Sequence, residues 1–228
     1  LGVVMTFALL VMTLNEIEGM KRIMPKIDSD WIDELLVVDG GSTDGTVEWA
    51  IKNGYRVHLQ RQKGIRHAYI EALEVVKSDY IIIFSPDGNS VPENILELRK
   101  MAENGYEMVI CSRYLGDAKS YDDDIVTAFG NWFFTKSINF FHSGKYTDAM
   151  VMFRVVHRNL FTDLGLNKDD PFRIPESLFR TKICLMPLLS IRAVREKKRI
   201  CEIPGDEPER IGGERKLKIL QWGAAYYF

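Results

Sequence analysis

The stretch Tyr80–Ser90, YIIIFSPDGNS, joins an apolar run to a short polar turn. An apolar run bounded by turn residues is typical of a strand buried in a parallel sheet. Asp87 and Asn89 follow the end of that strand, and open α/β sheets bind ligands at the carboxyl ends of their strands. Oxygens on either side of Gly88 can both turn towards one hard cation, such as Mg²⁺ or Mn²⁺. Asp-Gly-Asn also suits an ordinary polar turn, so the stretch alone leaves both interpretations open.

Strand-like and helix-like patterns alternate along the first half of the chain. Short connections between such segments are typical of right-handed βαβ units, and hence of a mainly parallel sheet flanked by helices. We expect Ser42 or Thr43 to cap the second helix. The predicted strands cover residues 7–14, 34–38, 56–59, 80–84 and 108–112, and the predicted helices cover residues 17–27, 43–53, 65–76 and 92–104.

The second half of the chain has a less regular pattern. We find no linker, repeat or low-complexity tract, so we expect one domain over residues 1–228. Its N-terminal half lies at about 5–113 and its C-terminal half at about 114–228. The predicted elements of the second half are an aromatic segment at Ile125–Phe141, a strand at Thr147–Arg154, a loop at Asn167–Thr181, a helix at Pro187–Lys198 and a strand at Ile200–Ile203.

The composition is that of a globular protein with a core, since 46% of the residues are apolar and 27% are charged. A formal net charge of −2 gives no reason to expect nucleic acid as a partner. The three cysteines are far apart and lack metal-ligand spacing, so we expect reduced thiols and a cytoplasmic location. The apolar run Leu1–Leu14 is shorter than the ~20 residues of a membrane-spanning helix, and we expect a buried strand there.

Three of the predicted strands end in polar clusters. Thr13–Glu16 follows the first strand, Asp39 ends the second, and Asp87–Asn89 follows the fourth. These ends meet at one crevice in a doubly wound sheet. The acidic residues of the first two clusters could accept hydrogen bonds from a ribose or base, and the third cluster could hold a metal ion. The turn Gly40–Gly45 is followed by no Gly-Lys-Ser/Thr and forms no three-glycine fingerprint, which weighs against kinases, GTPases and dehydrogenases.

An ordered set of motifs extends this pattern over nearly the whole chain. Its members are Thr13–Glu16 (TLNE), Val37–Thr46 (VVDGGSTDGT), Lys63 and Gly64 with Ala68, Asp87–Asn89 (DGN), Ser112–Tyr114 (SRY), Thr147–Arg154 (TDAMVMFR) and Arg210–Leu217 (RIGGERKL). Together they resemble the motifs of family-two glycosyltransferases of the GT-A fold, the group that includes dolichyl-phosphate mannose synthase-like enzymes.

The resemblance implies an α/β, Rossmann-like fold with a donor-binding N-terminal half and an acceptor-binding C-terminal half. It implies transfer with inversion from a nucleoside diphosphate sugar, of GDP or UDP, with Mg²⁺ or Mn²⁺ as cofactor. Asp87 and Asn89 are then the expected metal ligands, and Arg113 is expected to act in catalysis by adding positive charge near the diphosphate. Nucleotide-sugar contacts are expected at Thr13, Asn15, Glu16, Asp39, Gly64 and Asp87, and phosphate or acceptor contacts at Arg210, Arg215 and Lys216.

Some positions depart from the family pattern. Asn89 replaces the second metal-binding Asp, which keeps an oxygen ligand but removes a charge. The other departures are Gly40 in place of a second Asp, Met152 in place of Gly, Met186 in place of a Glu and Arg215 in place of Ser.

The loop Arg210–Leu217 makes a polyprenyl phosphate the preferred acceptor, and a growing glycan is the alternative. A sugar hydroxyl would need a carboxylate base, for which Asp148 is the first candidate and Glu176 the second. A polyprenyl phosphate is already ionised and needs no strong base, so Asp148 would orient substrate or support its strand. Outside this class, a nucleotidyltransferase would need a basic glycine-rich loop after the first strand. A non-catalytic sugar-nucleotide-binding protein stays open because of the departures.

Simpler structural interpretations stand beside several of these roles. Asp39 could cap its turn, Asp148 could be a structural carboxylate, and Arg210 with Lys216 could form a solvated face. The aromatic residues Trp132–Phe134, Phe140 and Phe141 are interpreted first as core. An amphipathic helix in the membrane interface is the alternative, with peripheral contact at the cytoplasmic face of a membrane.

Overall fold

The computed structural model describes residues 4–168, 172, 176–177 and 183–212. Their strands form one sheet in the order β3-β2-β1-β4-β6-β5-β7, once numbered along the chain. All neighbouring strands pair in parallel except at β6, which is antiparallel to β4 and β5. The strands are β1 (Phe7–Thr13), β2 (Glu34–Asp39), β3 (Val57–Leu59), β4 (Tyr80–Phe84), β5 (Met108–Ser112), β6 (Arg154–His157) and β7 (Ile200–Pro204).

Helices cover both faces of this sheet. Helices α1, α2 and α4 contribute buried side chains to one core cluster, and α3, α5, α6 and α7 contribute to the other. The prediction of a mainly parallel sheet flanked by helices is therefore confirmed. The α-helices with described bounds are α1 (Ile17–Ile23), α2 (Thr46–Lys52), α3 (Ile65–Val75), α4 (Asn94–Glu103), α5 (Ile125–His142), α6 (Asn159–Asp163) and α7 (Leu185–Arg195).

Strand β1 shows why the sheet lies at the centre of the molecule. Phe7, Leu9 and Val11 belong to the core cluster on one face, and Ala8 and Leu10 belong to the cluster on the other. Side chains of a strand alternate between faces, so a continuous apolar run is the pattern expected when both faces are covered. The prediction of a buried strand within the first fourteen residues is confirmed.

The predicted strand at Thr147–Arg154 is wrong in most of its length, because β6 begins only at Arg154. Glu202 on β7 accepts hydrogen bonds from the backbone N–H groups of Thr147 and Asp148, at 2.8 and 3.0 Å. The buried Arg154 guanidinium donates to the carbonyls of Ala149 and Val151, which bends this segment around its own side chain. Asp148 therefore lies in the irregular segment before β6.

The predicted cap of the second helix is also wrong. Helix α2 begins at Thr46, after Gly45 in the left-handed conformation at φ 94°. Neither Ser42 nor Thr43 occupies the capping position, and the Ser42 hydroxyl instead donates to Asp39 at 2.6 Å.

The aromatic side chains of α5 mostly face outward. The buried positions of this helix are small or polar residues such as Gly130 and Thr135, apart from Ile138. The prediction that these aromatic side chains belong to the core is therefore wrong for most of them. Trp132 is 55% exposed and Phe140 is 82% exposed. The exposed apolar face of α5 consists of Ile125, Val126, Phe129, Trp132, Phe133, Phe140 and Phe141.

Candidate functional site

The carboxyl ends of the parallel strands lie at one edge of the sheet. Strands β2, β1 and β4 are neighbours, so the three polar clusters predicted from the sequence lie side by side at that edge. Strands β5 and β7 run in the same direction and bring Arg113 and the segment 205–212 to this edge too. The edge is the place where a sheet of this kind binds ligands.

Asp39 anchors the turn that follows β2. Its side chain is 0% exposed, and one oxygen accepts from the backbone N–H groups of Gly41 and Ser42 at 2.9 and 2.7 Å. The other oxygen accepts from the hydroxyls of Thr13 and Ser42 at 2.8 and 2.6 Å. An ionised carboxylate offers about four acceptor positions, and this one uses them inside the protein. In this arrangement Asp39 and Thr13 shape the turn rather than face the crevice.

The loop after β1 is joined to the loop after β2 through Asn15. This residue adopts the left-handed conformation at φ 59°. Its side-chain oxygen accepts from the Thr43 backbone at 2.8 Å, and its own N–H donates to the Ser42 hydroxyl at 2.7 Å. The Glu16 N–H donates to the Thr46 hydroxyl at 3.0 Å. These bonds hold the two predicted nucleotide loops in one fixed arrangement.

Gly64 precedes helix α3 at the outer part of the same edge. Its φ of 108° lies in the region that favours glycine, and it is exposed. The side-chain amide of Gln60 donates to the Gly64 carbonyl at 3.3 Å. The conformation explains the glycine at this position, while its nucleotide contact stays a prediction.

Asp87 and Asn89 form a turn at the end of β4, as predicted. The Asn89 N–H donates to one oxygen of Asp87 at 3.1 Å, and the Arg210 guanidinium contacts the other at 3.0 Å. The Ile211 N–H donates to the Asp87 carbonyl at 2.8 Å, so segment 205–212 lies against the turn. A Cβ on Gly88 would come within 2.7 Å of the Ile211 side chain, which explains the glycine between the two ligand candidates.

Two buried polar atoms at this turn have no hydrogen-bond partner among the described residues. They are the side-chain oxygen Oδ1 of Asn89 and the Nε of Arg210. Buried acceptors and donors are normally paired, so each unpaired atom needs an explanation. An oxygen of this kind beside the Asp87 carboxylate suits a hard cation.

The described part of the chain contains no cluster of three or more His, Cys, Asp or Glu side chains suited to a metal ion. A bound metal would therefore need ligands beyond carboxylates. The Asn89 oxygen is such a ligand, and diphosphate oxygens and water commonly complete the shell of Mg²⁺. The residues present fit a divalent ion that is held jointly by the protein and a bound diphosphate.

Arg113 lies in the centre of a buried ion cluster at the ends of β5 and β7. Its Nε donates to Asp148 at 2.6 Å and its Nη2 donates to the same carboxylate at 3.1 Å. Its Nη1 contacts Glu207 at 3.2 Å and Asp123 at 3.4 Å. Its positive charge is already matched by three carboxylates, so the structure favours a positioning role for Arg113 over contact with a diphosphate.

Asp148 is 0% exposed and accepts further hydrogen bonds from Asn131 and the Val151 backbone, both at 3.2 Å. Burial alone would raise the pKa of this carboxyl, but the Arg113 charge and the hydrogen bonds outweigh burial and lower it. A general base should be reachable and should have a pKa near the working pH. The geometry of Asp148 favours support of the site over proton abstraction.

Glu176, the second candidate base, is also paired. It forms a buried ion pair with Arg66 on α3 and accepts from the Ile183 backbone at 2.9 Å. Arg210 lies at the site, as predicted, whereas Arg215 and Lys216 lie outside the described residues. The structure therefore brings Asp87, Asn89 and Arg210 together, and engages both candidate bases elsewhere.

Residues that the sequence did not single out complete the site. Asp122 accepts from the Asn89 side-chain amide at 2.9 Å, and Glu207 binds Arg113. Burial raises the pKa of Glu207, although Arg113 and Ser120 oppose the effect. Asn131 on α5 lies beside Asp148, and its buried side-chain oxygen has no hydrogen-bond partner within the described ranges. The only sequence signal was the aspartate run at 122–124, which precedes α5 and resembles a helix start.

The sequence profile described as "Glycosyl transferase family 2" matches residues 17–165, more than half of the chain. Among characterised proteins, the chain is 28% identical over 162 residues to "Glycosyltransferase AglJ" of Haloferax volcanii. It is 29% identical over 123 residues to "Dolichol-phosphate mannosyltransferase" of Pyrococcus furiosus. These matches cover 71% and 50% of this chain, but only 53% and 35% of the two relatives. The chain thus spans about half or less of these relatives.

Solved structures show the same fold. One is glucosyl-3-phosphoglycerate synthase from Mycobacterium tuberculosis in complex with Mn²⁺, UDP-glucose and phosphoglyceric acid. The similarity covers 92% of this chain and 72% of that chain, with a TM-score of 0.60 and 21% identity. At this identity the likeness establishes the architecture, which is the GT-A arrangement expected from the motifs.

Proposed function

This chain belongs to glycosyl transferase family 2, and on that premise we propose that it is an inverting, metal-dependent glycosyltransferase. The proposed donor is a nucleoside diphosphate sugar, of UDP or GDP, and the proposed acceptor is a polyprenyl phosphate. The donor would bind in the half at about 5–113 and the acceptor in the half at about 114–228. Cytoplasmic location, with peripheral contact at a membrane, is part of the same proposal.

One observation carries this proposal. Within the described residues, the buried acceptor Asn89 Oδ1 has no hydrogen-bond partner, and it lies in the same cluster as the buried donor Arg210 Nε, which has none either. A cation would satisfy the first atom, and a phosphate oxygen would satisfy the second. A metal–diphosphate supplies both groups at once, whereas an ordinary polar turn explains neither unpaired atom.

The roles of the residues follow from their positions. Asp87 and Asn89 would hold the metal, which when bound offsets the charge that develops on the leaving diphosphate. The linked loops around Asn15 and Asp39 would position the nucleotide through their backbone, since the Asp39 carboxylate itself is fully engaged. Arg210 would donate to a phosphate oxygen through its Nε, which no described residue engages.

The state of the two candidate bases supports a phosphate acceptor. Asp148 and Glu176 are both buried and paired with arginine, so neither is free to take a proton from a hydroxyl. A polyprenyl phosphate attacks through an oxygen that is already ionised. The name of the Pyrococcus furiosus relative, a dolichol-phosphate mannosyltransferase, points in the same direction.

A glycan hydroxyl is the second candidate acceptor because of Glu207. Like Asp148, its carboxyl is buried at this edge of the sheet and pairs with Arg113, but burial raises the pKa of Glu207, whereas the pKa of Asp148 is lowered. A carboxylate with a raised pKa is better suited to act as a base than one with a lowered pKa. This alternative predicts that Glu207→Gln abolishes transfer to hydroxyl acceptors.

A screen of donors against acceptors tests the proposed function. UDP- and GDP-sugars are combined with a polyprenyl phosphate or an oligosaccharide, each with Mg²⁺, Mn²⁺ or a chelator. We expect transfer to the polyprenyl phosphate, loss of transfer with the chelator, and an inverted anomeric linkage in the product. Transfer only to the oligosaccharide would overturn the acceptor. Tight donor binding without any transfer would favour the non-catalytic alternative.

The exposed apolar face of α5 is proposed to rest on a lipid bilayer. The opposite side of this helix carries Asn131, which donates to Asp148, so α5 is one wall of the site. If the phosphate of a lipid acceptor binds at the site, its hydrocarbon chain could run along α5 towards the bilayer. The exposed Lys136 lies among the aromatic residues at helical spacing, and such a face suits anionic headgroups. None of the described helices is long and apolar enough to span a membrane.

Replacing Phe129 and Trp132 together with serine is expected to weaken membrane binding by about tenfold or more, because two large interfacial side chains are lost. Sedimentation with vesicles of equal parts zwitterionic and anionic lipid measures the effect. Leu96→Ser is the matched control, since Leu96 is 47% exposed on α4, across the sheet. Unchanged vesicle binding by the double variant would contradict a bilayer as the occupant of this face. So would the finding that the original chain forms concentration-dependent dimers and that the double variant does not.

A further inference from the structure

The site at Asp87 has only one carboxylate in the motif itself, because the second position is Asn89. We propose that Asp122 supplies the missing carboxylate and that Arg210 is the exchangeable counter-ion of the resulting pair. Asp122 lies thirty-odd positions along the chain, in the loop before α5, and the motif gives no indication of it. This inference rests on the metal dependence of the proposed function.

The hydrogen bond from Asn89 to Asp122 sets the direction of the amide. The Asn89 nitrogen Nδ2 donates to Asp122 at 2.9 Å. Because nitrogen and oxygen share one carbon, the Oδ1 atom points away from that bond and keeps its acceptor positions open. That oxygen is buried and accepts no hydrogen bond from the part of the chain that the structure describes. Asp122 thus orients the amide, and its carboxylate places a negative charge 2.9 Å from the side chain that replaces the second Asp of the family pattern.

Arg210 is placed between the two carboxylates. Its Nη1 lies 3.0 Å from Asp87, its Nε lies 4.0 Å from Asp122, and its backbone N–H donates to Asp122 at 3.4 Å. Two carboxylates on one guanidinium repel each other unless a cation lies between them. The guanidinium therefore supplies the positive charge that a divalent ion would supply in the loaded site.

The fit of Arg210 as this cation is incomplete. No described residue accepts a hydrogen bond from its buried Nε, and its side chain is 23% exposed. The backbone of the segment is held separately, because the Ile211 N–H donates to the Asp87 carbonyl at 2.8 Å. The side chain can therefore leave Asp87 and Asp122 for a phosphate oxygen while its backbone stays in place. The metal ion would then replace the Arg210 guanidinium beside the two carboxylates, and the guanidinium would bind the phosphate at the same time.

Binding of Mn²⁺ to the full chain, without any substrate, tests the inference. Free Mn²⁺ is followed by electron paramagnetic resonance during a titration, in the absence and presence of UDP or GDP. Asp122→Asn is expected to weaken Mn²⁺ binding by about 10- to 100-fold, the range for loss of a partner that supports a metal ligand. Arg210→Gln is expected to tighten binding of the metal alone by roughly two- to fivefold, since a partly exposed competing cation is removed.

A charge exchange gives the sharpest control. The double variant Asn89→Asp with Asp122→Asn moves the carboxylate to the other side of the same hydrogen bond. It is expected to restore Mn²⁺ affinity to within about threefold of the original chain, because coupled neighbours compensate each other. Asp117→Asn removes an exposed carboxylate from the same loop and should leave the affinity unchanged. Circular dichroism of each variant confirms that it is folded.

The outcomes separate this inference from the proposed function. Normal Mn²⁺ binding by the original chain with an unchanged affinity in Asp122→Asn would overturn the role of Asp122 and leave metal-dependent transfer standing. Weaker metal binding by Arg210→Gln would overturn the counter-ion role. Absence of Mn²⁺ binding by every form, even with UDP and GDP, would overturn the metal dependence itself.

Discussion

Replacing Asp87 with alanine is expected to lower the rate of sugar transfer by about 10²- to 10³-fold. Loss of a single preorganised group that acts on developing charge commonly costs this much. Asp87 is the buried carboxylate at the end of β4, and it contacts both the Asn89 backbone and Arg210. In the proposed function, removal of its charge would leave the metal and the diphosphate without their carboxylate anchor. Initial rates at saturating donor, with Mg²⁺ or Mn²⁺ present, measure the loss.

A second substitution separates charge from turn geometry. Asp87→Asn keeps an oxygen that can accept from the Asn89 N–H but removes the negative charge. We expect it to retain the thermal stability of the original chain more closely than Asp87→Ala, and to lose most of the transfer activity. Full activity in either variant would contradict a metal-anchoring role for Asp87.

Replacing Arg113 with leucine is expected to destabilise the fold by about 3–5 kcal/mol, the range for breaking a buried ion pair from one side. Asp148, Asp123 and Glu207 would lose the cation that they share. Urea unfolding at pH 7 measures the loss. Arg113→Lys keeps the charge without the two-point contact to Asp148, so an intermediate stability is expected from a variant that still folds.

The pH dependence gives an independent check on this cluster. In the original chain the pKa of Asp148 is lowered, so its contribution to stability is present above about pH 3.9, the unfolded value, and is lost as the pH falls through the folded value. Without Arg113 the same buried carboxyl would have a raised pKa, and its ionised form would oppose folding. The stability difference between the two chains should therefore shrink as the pH falls from 7 towards 4. Unchanged stability with abolished transfer would instead support direct catalysis by Arg113.

The order of strands and helices could be predicted because local pattern decides it. The apolar run at residues 80–84 is a strand with those bounds, and so is the run at 108–112. A short apolar run that can be buried on both faces is typical of a strand in the centre of a sheet. The segment at 147–154 was mispredicted because its conformation depends on distant groups. Glu202 on β7 holds its backbone, and no local pattern encodes that contact.

The candidate site was predictable where its residues are local to a strand end. Asp87 and Asn89 lie where the motif placed them, and Arg210 reaches the same turn. The roles of the charged residues were harder to predict, because a carboxylate changes its function with its partners. Asp148 resembles a base in the sequence, yet Arg113 and Asn131 engage it in the fold.

The sequence by itself determined a mainly parallel α/β sheet, membership of a glycosyltransferase family and the position of the Asp87 turn. These follow from apolar periodicity and from motifs in which neighbours along the chain act together. Only the tertiary structure decided that Asp122 joins Asn89, that Arg210 lies between two carboxylates, and that the aromatic side chains of α5 face outward. The electrostatic partners of a residue depend on which loops meet at the sheet edge. The interaction of two charges depends on their distance in space, which their separation in the sequence does not give.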